Sequence, residues 1–147
     1  MRTLPGAACS FRFFDARSIS NMAYLFETSE QSGIFVARVA GERHARLEDN
    51  GTELLQFWTS VAVAMKQASL HRLLAVISAR GALRSLDTRT FYRRLGEMGF
   101  KANMRFAIVF AVPSHERPVL ELGVDAAAQD GWTIRHFVSE SEAMAWL

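Results

Sequence analysis

One stretch limits what this chain can fold into more than any other: Arg105-Phe106-Ala107-Ile108-Val109-Phe110-Ala111-Val112, closed by Pro113. It is continuously apolar after its first residue, rich in β-branched and aromatic side chains, and too short for a long helix. A run of this kind suits a strand buried on both faces, as in a parallel sheet with helices packed on each side. Strand-like and helix-like segments alternate around it. The expected class is therefore α/β, with a mixed, mostly parallel sheet of about five strands in the order β-β-α-β-α-β-α-β-α and this run sealed at its middle.

Residues 23–28 and 34–41 read as two strands joined by the polar turn Ser29-Glu30-Gln31-Ser32-Gly33, which predicts an antiparallel hairpin. The first helix is expected to start at Asn50, with Glu53 completing a capping box, or a few residues earlier at Leu47. Leu54, Leu55, Trp58, Val61, Ala62 and Met65 form its apolar stripe. Residues 73–78 are a second buried strand, reached by a βαβ crossover and so parallel to the strand before it. Asp87 is placed to cap a second helix, with Phe91, Leu95 and Met98 facing inward and Gly99 ending it.

Beyond the central run, Ser114 is expected to cap a third helix, with Pro118 in its first turn and Val119, Leu120, Gly123, Val124 and Ala127 buried. Residues 132–138 alternate as a half-exposed strand. Ser139 and Glu142 then form a capping box for a closing helix whose inward residues are Ala143, Trp146 and Leu147.

Composition narrows the function classes. No apolar stretch is long enough to cross a bilayer. Cys9 is the single cysteine, so neither an intrachain disulfide nor a cysteine zinc site can form, and a cytoplasmic setting is the simplest expectation. Residues 1–21 lack sustained periodicity despite Phe11-Arg12-Phe13-Phe14. They are expected to be a flexible extension, or an upstream reading ahead of a start at Met22, leaving residues 22–147 as one domain. The net charge of +2 arises wholly in that segment, which removes any argument for nucleic acid from overall basicity.

Catalytic and cofactor motifs are missing. His44, His71, His115 and His136 lie far apart with no helical pair spacing, and no P-loop, G-x-G-x-x-G or G-x-S-x-G occurs. His115 beside Glu116 falls where α/β sheets place ligands, after the central strand. The expectation is therefore a protein with no catalytic residues, no metal and no cofactor.

Charge distribution says more. Residues 66–105 hold nine basic side chains against Asp87 and Glu97, whereas residues 116–147 hold six acids against Arg117 and Arg135. Arg80 and Arg84 lie on the loop before the second helix, and Arg89 and Arg93 share one of its faces. These four form a candidate patch for an anionic ligand, an acidic protein partner or lipid head groups.

The final third, with Val119-Leu120-Glu121, Asp130-Gly131-Trp132-Thr133-Ile134-Arg135-His136-Phe137 and the ending Glu142-Ala143-Met144-Ala145-Trp146-Leu147, resembles the bacterial STAS-like proteins. These are small domains similar in fold to anti-sigma-factor antagonists and grouped by fold with lipid-binding CRAL-TRIO domains. The resemblance spans about residues 22–147 and implies a regulatory or binding module, a homodimer being one form it can take. An apolar-ligand carrier or membrane-surface protein is the alternative it implies. The antagonists carry a phosphorylatable serine in a D-S-x-G turn, which this chain lacks. Ser85 and Thr88 stand roughly in that place, where a phosphate would favour a helix N-terminus, although both hydroxyls suit simple capping.

Overall fold

The computed structural model describes residues 24–41, 47–80 and 85–147, with side chains from 53 onward in the first helix and from 89 onward in the second. The expectations for residues 1–21, Cys9, His44 and Arg84 lie outside these.

Strands β1 (Tyr24–Gln31), β2 (Ile34–Gly41), β3 (Arg72–Ile77), β4 (Arg105–Phe110) and β5 (Thr133–Phe137) form one sheet in sequential order. β1 is antiparallel to β2, and every later pair is parallel. The mixed, mostly parallel α/β class is thus as expected. The apolar run that supplies β4 is interior, flanked by β3 and β5, but β3 holds the sheet's centre. The hairpin turn is tighter than expected: β1 continues to Gln31, leaving only Ser32 and Gly33, both at positive φ, as a two-residue turn. Two successive residues of that sign match the right-handed twist of the flanking strands. A Cβ on Gly33 would also stand 3.1 Å from Arg72 Nη2.

Among the described residues, five helices accompany the sheet: α1 (Leu47–Gln67), α2 (Ser85–Arg93), α3 (Leu95–Met98), α4 (Arg117–Gln129) and α5 (Glu140–Trp146). Strands added one beside the next in a single direction, each by a right-handed crossover, deliver every crossover helix to the same face. That face holds the larger core. Phe35, Ala37, Val39, Leu73, Ala75, Phe106, Ile108 and Ile134 of the sheet meet α1, α3 and α4 there, with Phe91 and Tyr92 of α2 against them. Rings fill the space: Phe26 stacks on Phe57 at 4.3 Å, and Phe106 meets both Phe100 and Trp132 edge-on. α5 follows the last strand and so escapes the crossover rule. It covers the opposite face, where Ala143, Met144, Trp146 and Leu147 pack on Ile34, Val36, Leu74, Val76, Ala107 and Val109.

Several helix boundaries differ from expectation. α1 begins at Leu47, the earlier of the two starts, and its core contribution includes Phe57, which the expected stripe omits. The second helix begins at Ser85, so Asp87 lies inside it, and it breaks at Arg94 into α2 and α3. Gly99 closes α3 in the left-handed conformation, with Phe100 N–H reaching back to Leu95 O. Glu116, not Ser114, precedes α4, because Pro118 is accommodated within its first two positions. Ser139 is the N-cap of α5, accepting from Glu142 N–H at 3.2 Å. No helix among the described residues is long and apolar enough to cross a membrane.

Candidate functional site

The crossover loops leave the parallel sheet at the carboxyl ends of β3 and β4, although the sequential strand order makes no reversal point of the kind at which open α/β sheets bind ligands. After β3, Ser78 N–H and Arg80 N–H donate to Val39 O and Gly41 O at 2.8 and 2.9 Å, so the loop stays pinned to β2. After β4, Ala111 N–H donates to Ile77 O, and Glu116 N–H closes a turn onto Pro113 O.

These anchored backbones bring Arg80, His115 and Glu116 together. Glu116 Oε2 lies 3.6 Å from Arg80 Nε and 3.7 Å from His115 Nε2. Both separations are ion-pair distances, too long for good hydrogen bonds. The Glu116 side chain is only 17% exposed, against 58% for Arg80 and 77% for His115. The carboxylate is the sunken member of the trio, and the two basic groups stand outside it.

The four arginines of the expected patch separate. The structure ties Arg80 to the start of α4 rather than to α2, and Arg84 is outside the described residues. Arg89 and Arg93 are both exposed on α2, one turn apart, and neither has a carboxylate partner among the described residues. The acids of α4 do not neutralise them: Glu121 Oε2 and Asp125 Oδ1 flank opposite nitrogens of His136 on β5, at 3.6 and 3.2 Å. Glu97 is likewise committed, to Arg94 Nε at 3.1 Å. Ser85 and Thr88 fall in the first turn of α2, their side chains outside the described set.

A second basic group was hidden in the sequence by its scatter. Arg72 and Arg105 open β3 and β4 as register partners, and Arg135 sits on β5 opposite Ala107. Alternation along the strands puts all three on the α5 face. Arg38, on that face of β2, is different: its Nη1 and Nη2 donate to Glu140 Oε2 and Oε1 at 2.9 and 3.0 Å. That fork holds the Glu140 carboxyl below its ordinary range and raises the Arg38 guanidinium above its own.

Among the described residues, no group of three or more His, Cys, Asp or Glu side chains is arranged to hold a metal ion. Neither a protein-family model nor a curated protein matches this chain.

Proposed function

We propose that this protein is a non-enzymatic, STAS-like binding or regulatory module that offers the outer face of α2 to an acidic protein partner. The carrying observation is that Arg89 and Arg93 are exposed while the nearest acidic helix spends its carboxylates elsewhere. Two guanidiniums one helical turn apart, with no carboxylate partner among the described residues, are spaced to meet successive carboxylates, each able to form a bidentate pair. The Arg80–His115–Glu116 group at the strand ends presents two further exposed basic side chains. The interlocked rings between α1, α3 and the sheet favour this surface reading over an internal apolar-ligand site, since side chains already occupy that layer.

A glutamate-rich peptide is the direct probe. Wild-type protein should bind it at low salt and release it as ionic strength rises, because contacts between exposed charges are screened. Arg89→Glu/Arg93→Glu should fold normally and bind at least about tenfold more weakly, as expected when two charge-assisted contacts become repulsive. Equal binding by the two proteins would remove α2 as the recognition face.

A further inference from the structure

The arginines around the end of α5 carry a separate conclusion. Arg105 lies with its guanidinium carbon 4.7 Å from the centre of the Trp146 ring. Arg135 approaches the same ring at 5.7 Å and Phe137 at 5.4 Å. Phe137 and Trp146 themselves touch, with centroids 5.7 Å apart. Two exposed arginines are thereby levelled against one partly buried aromatic pair. We propose that Arg105 and Arg135, held against Trp146 on the α5 face of the sheet, form a receptor for the phosphate group of a small phosphomonoester.

The donor inventory supports it. A guanidinium has five N–H donors and cannot be deprotonated in this setting. Arg105 spends one, from Nη1 to Trp146 O at 3.0 Å, and Arg135 spends none among the described residues. No carboxylate among those residues pairs with either. Arg72, the register partner of Arg105, adds a third positive charge while its own N–H groups hold Leu147 O and Ser32 O. The acids on this face that have partners are at the other end of α5, where Glu140 is taken by Arg38. Three guanidiniums therefore gather at the carboxyl end of α5 and outweigh the partial negative charge of its dipole there.

Phosphate fits this arrangement better than a carboxylate does. Its terminal oxygens can accept a fork from each of two guanidiniums at once, and its charge of up to about −2 matches two arginines. A carboxylate has two oxygens and satisfies one fork. Contact with the Trp146 ring restricts where both guanidinium groups can lie beforehand, so less rotamer freedom is lost on binding. A nucleobase is a poorer fit, because arginines already lie over the indole ring that it would need.

The test is a titration of the full chain with inorganic phosphate, followed by nuclear magnetic resonance at the Trp146 indole N–H and the Arg105 and Arg135 Nε–H signals. Acetate at matched ionic strength is the control. Saturable shifts at these three groups with phosphate, and not with acetate, are the expected result. Arg135→Gln should weaken the phosphate effect about tenfold or more, the loss of one charge-assisted contact. Arg105→Lys, which keeps the charge and loses the fork, should weaken it too. Arg89→Gln/Arg93→Gln should leave it unchanged, which separates this site from the α2 surface. Equal responses to acetate and phosphate, or an unchanged response in Arg135→Gln, would overturn the proposal. Arg135→Gln decides the matter even if substituting Arg105 loosens α5, because the Arg135 guanidinium makes no hydrogen bond among the described residues.

Discussion

The two faces of the sheet are secured by different physics. On the crossover face, side chains from four helices fill one continuous apolar layer, and Phe57, Val61, Met65 and Val124 are essentially withdrawn from solvent. On the other face, α5 is seven residues long, far below what sustains an isolated helix. Its apolar anchors, Ala143, Met144 and Trp146, are supplemented by polar ties at both ends. Ser139 caps its start, the Arg38–Glu140 fork ties that start to β2, and Arg105 and Arg72 take the carbonyls of its final turn. Cations at a helix C-terminus also oppose its macrodipole favourably. A large apolar layer should yield only with the whole fold, whereas a short clamped helix can open by itself.

The strongest challenge to that contrast is Phe57→Ala. Removing a ring that is 1% exposed and stacked on Phe26 should cost about 3–5 kcal/mol, read as a lowered denaturant midpoint for the entire protein. A loss below about 1 kcal/mol would mean that the crossover face is not the main source of cohesion. Ser139→Ala is smaller and more local, about 1 kcal/mol. Amide exchange in α5 should accelerate while α1 remains protected, and equal acceleration in both would erase the distinction between the faces.

The mildest probe, Glu140→Gln, concerns pH. Because the Arg38 hydrogen bond lowers the Glu140 pKa in the folded protein, the contact stabilises fully above the ordinary carboxylate range. It fades as pH falls through the lowered folded value. The pair is largely solvent-exposed, so screening limits it to about 0.5 kcal/mol at neutral pH. Thermal melts of the variant and wild type should differ slightly at pH 7 and converge in strong acid. A gap that widened on acidification would contradict the assigned direction.

Much of the architecture was readable because local chemistry and tertiary need agree. The run at 105–110 has no polar residue to place in water after Arg105, so an interior strand is its natural home. Ser139 and Glu142 announce their helix at the correct spacing. Phe57 escaped because α1 buries a broader arc than a narrow stripe describes. The break at Arg94 is marked only by Gly96, two residues further on. Charge was the least transparent feature. Counting along the chain merged Arg72, Arg80, Arg89 and Arg105 into one basic region, while the fold distributes them among opposite ends and faces. Arg135, counted with an acidic segment, ends up beside Arg105. Only strand register could reveal that grouping.

The sequential strand order also bears on how the protein is made. Every crossover helix emerges from the ribosome before the strand it precedes, so the larger core can assemble as synthesis proceeds. Ile34, Val36, Leu74, Val76, Ala107 and Val109, by contrast, receive α5 only after residues 139–146 have been translated. During that interval the nascent sheet presents a greasy flank, the kind of surface to which chaperones bind and at which premature association begins.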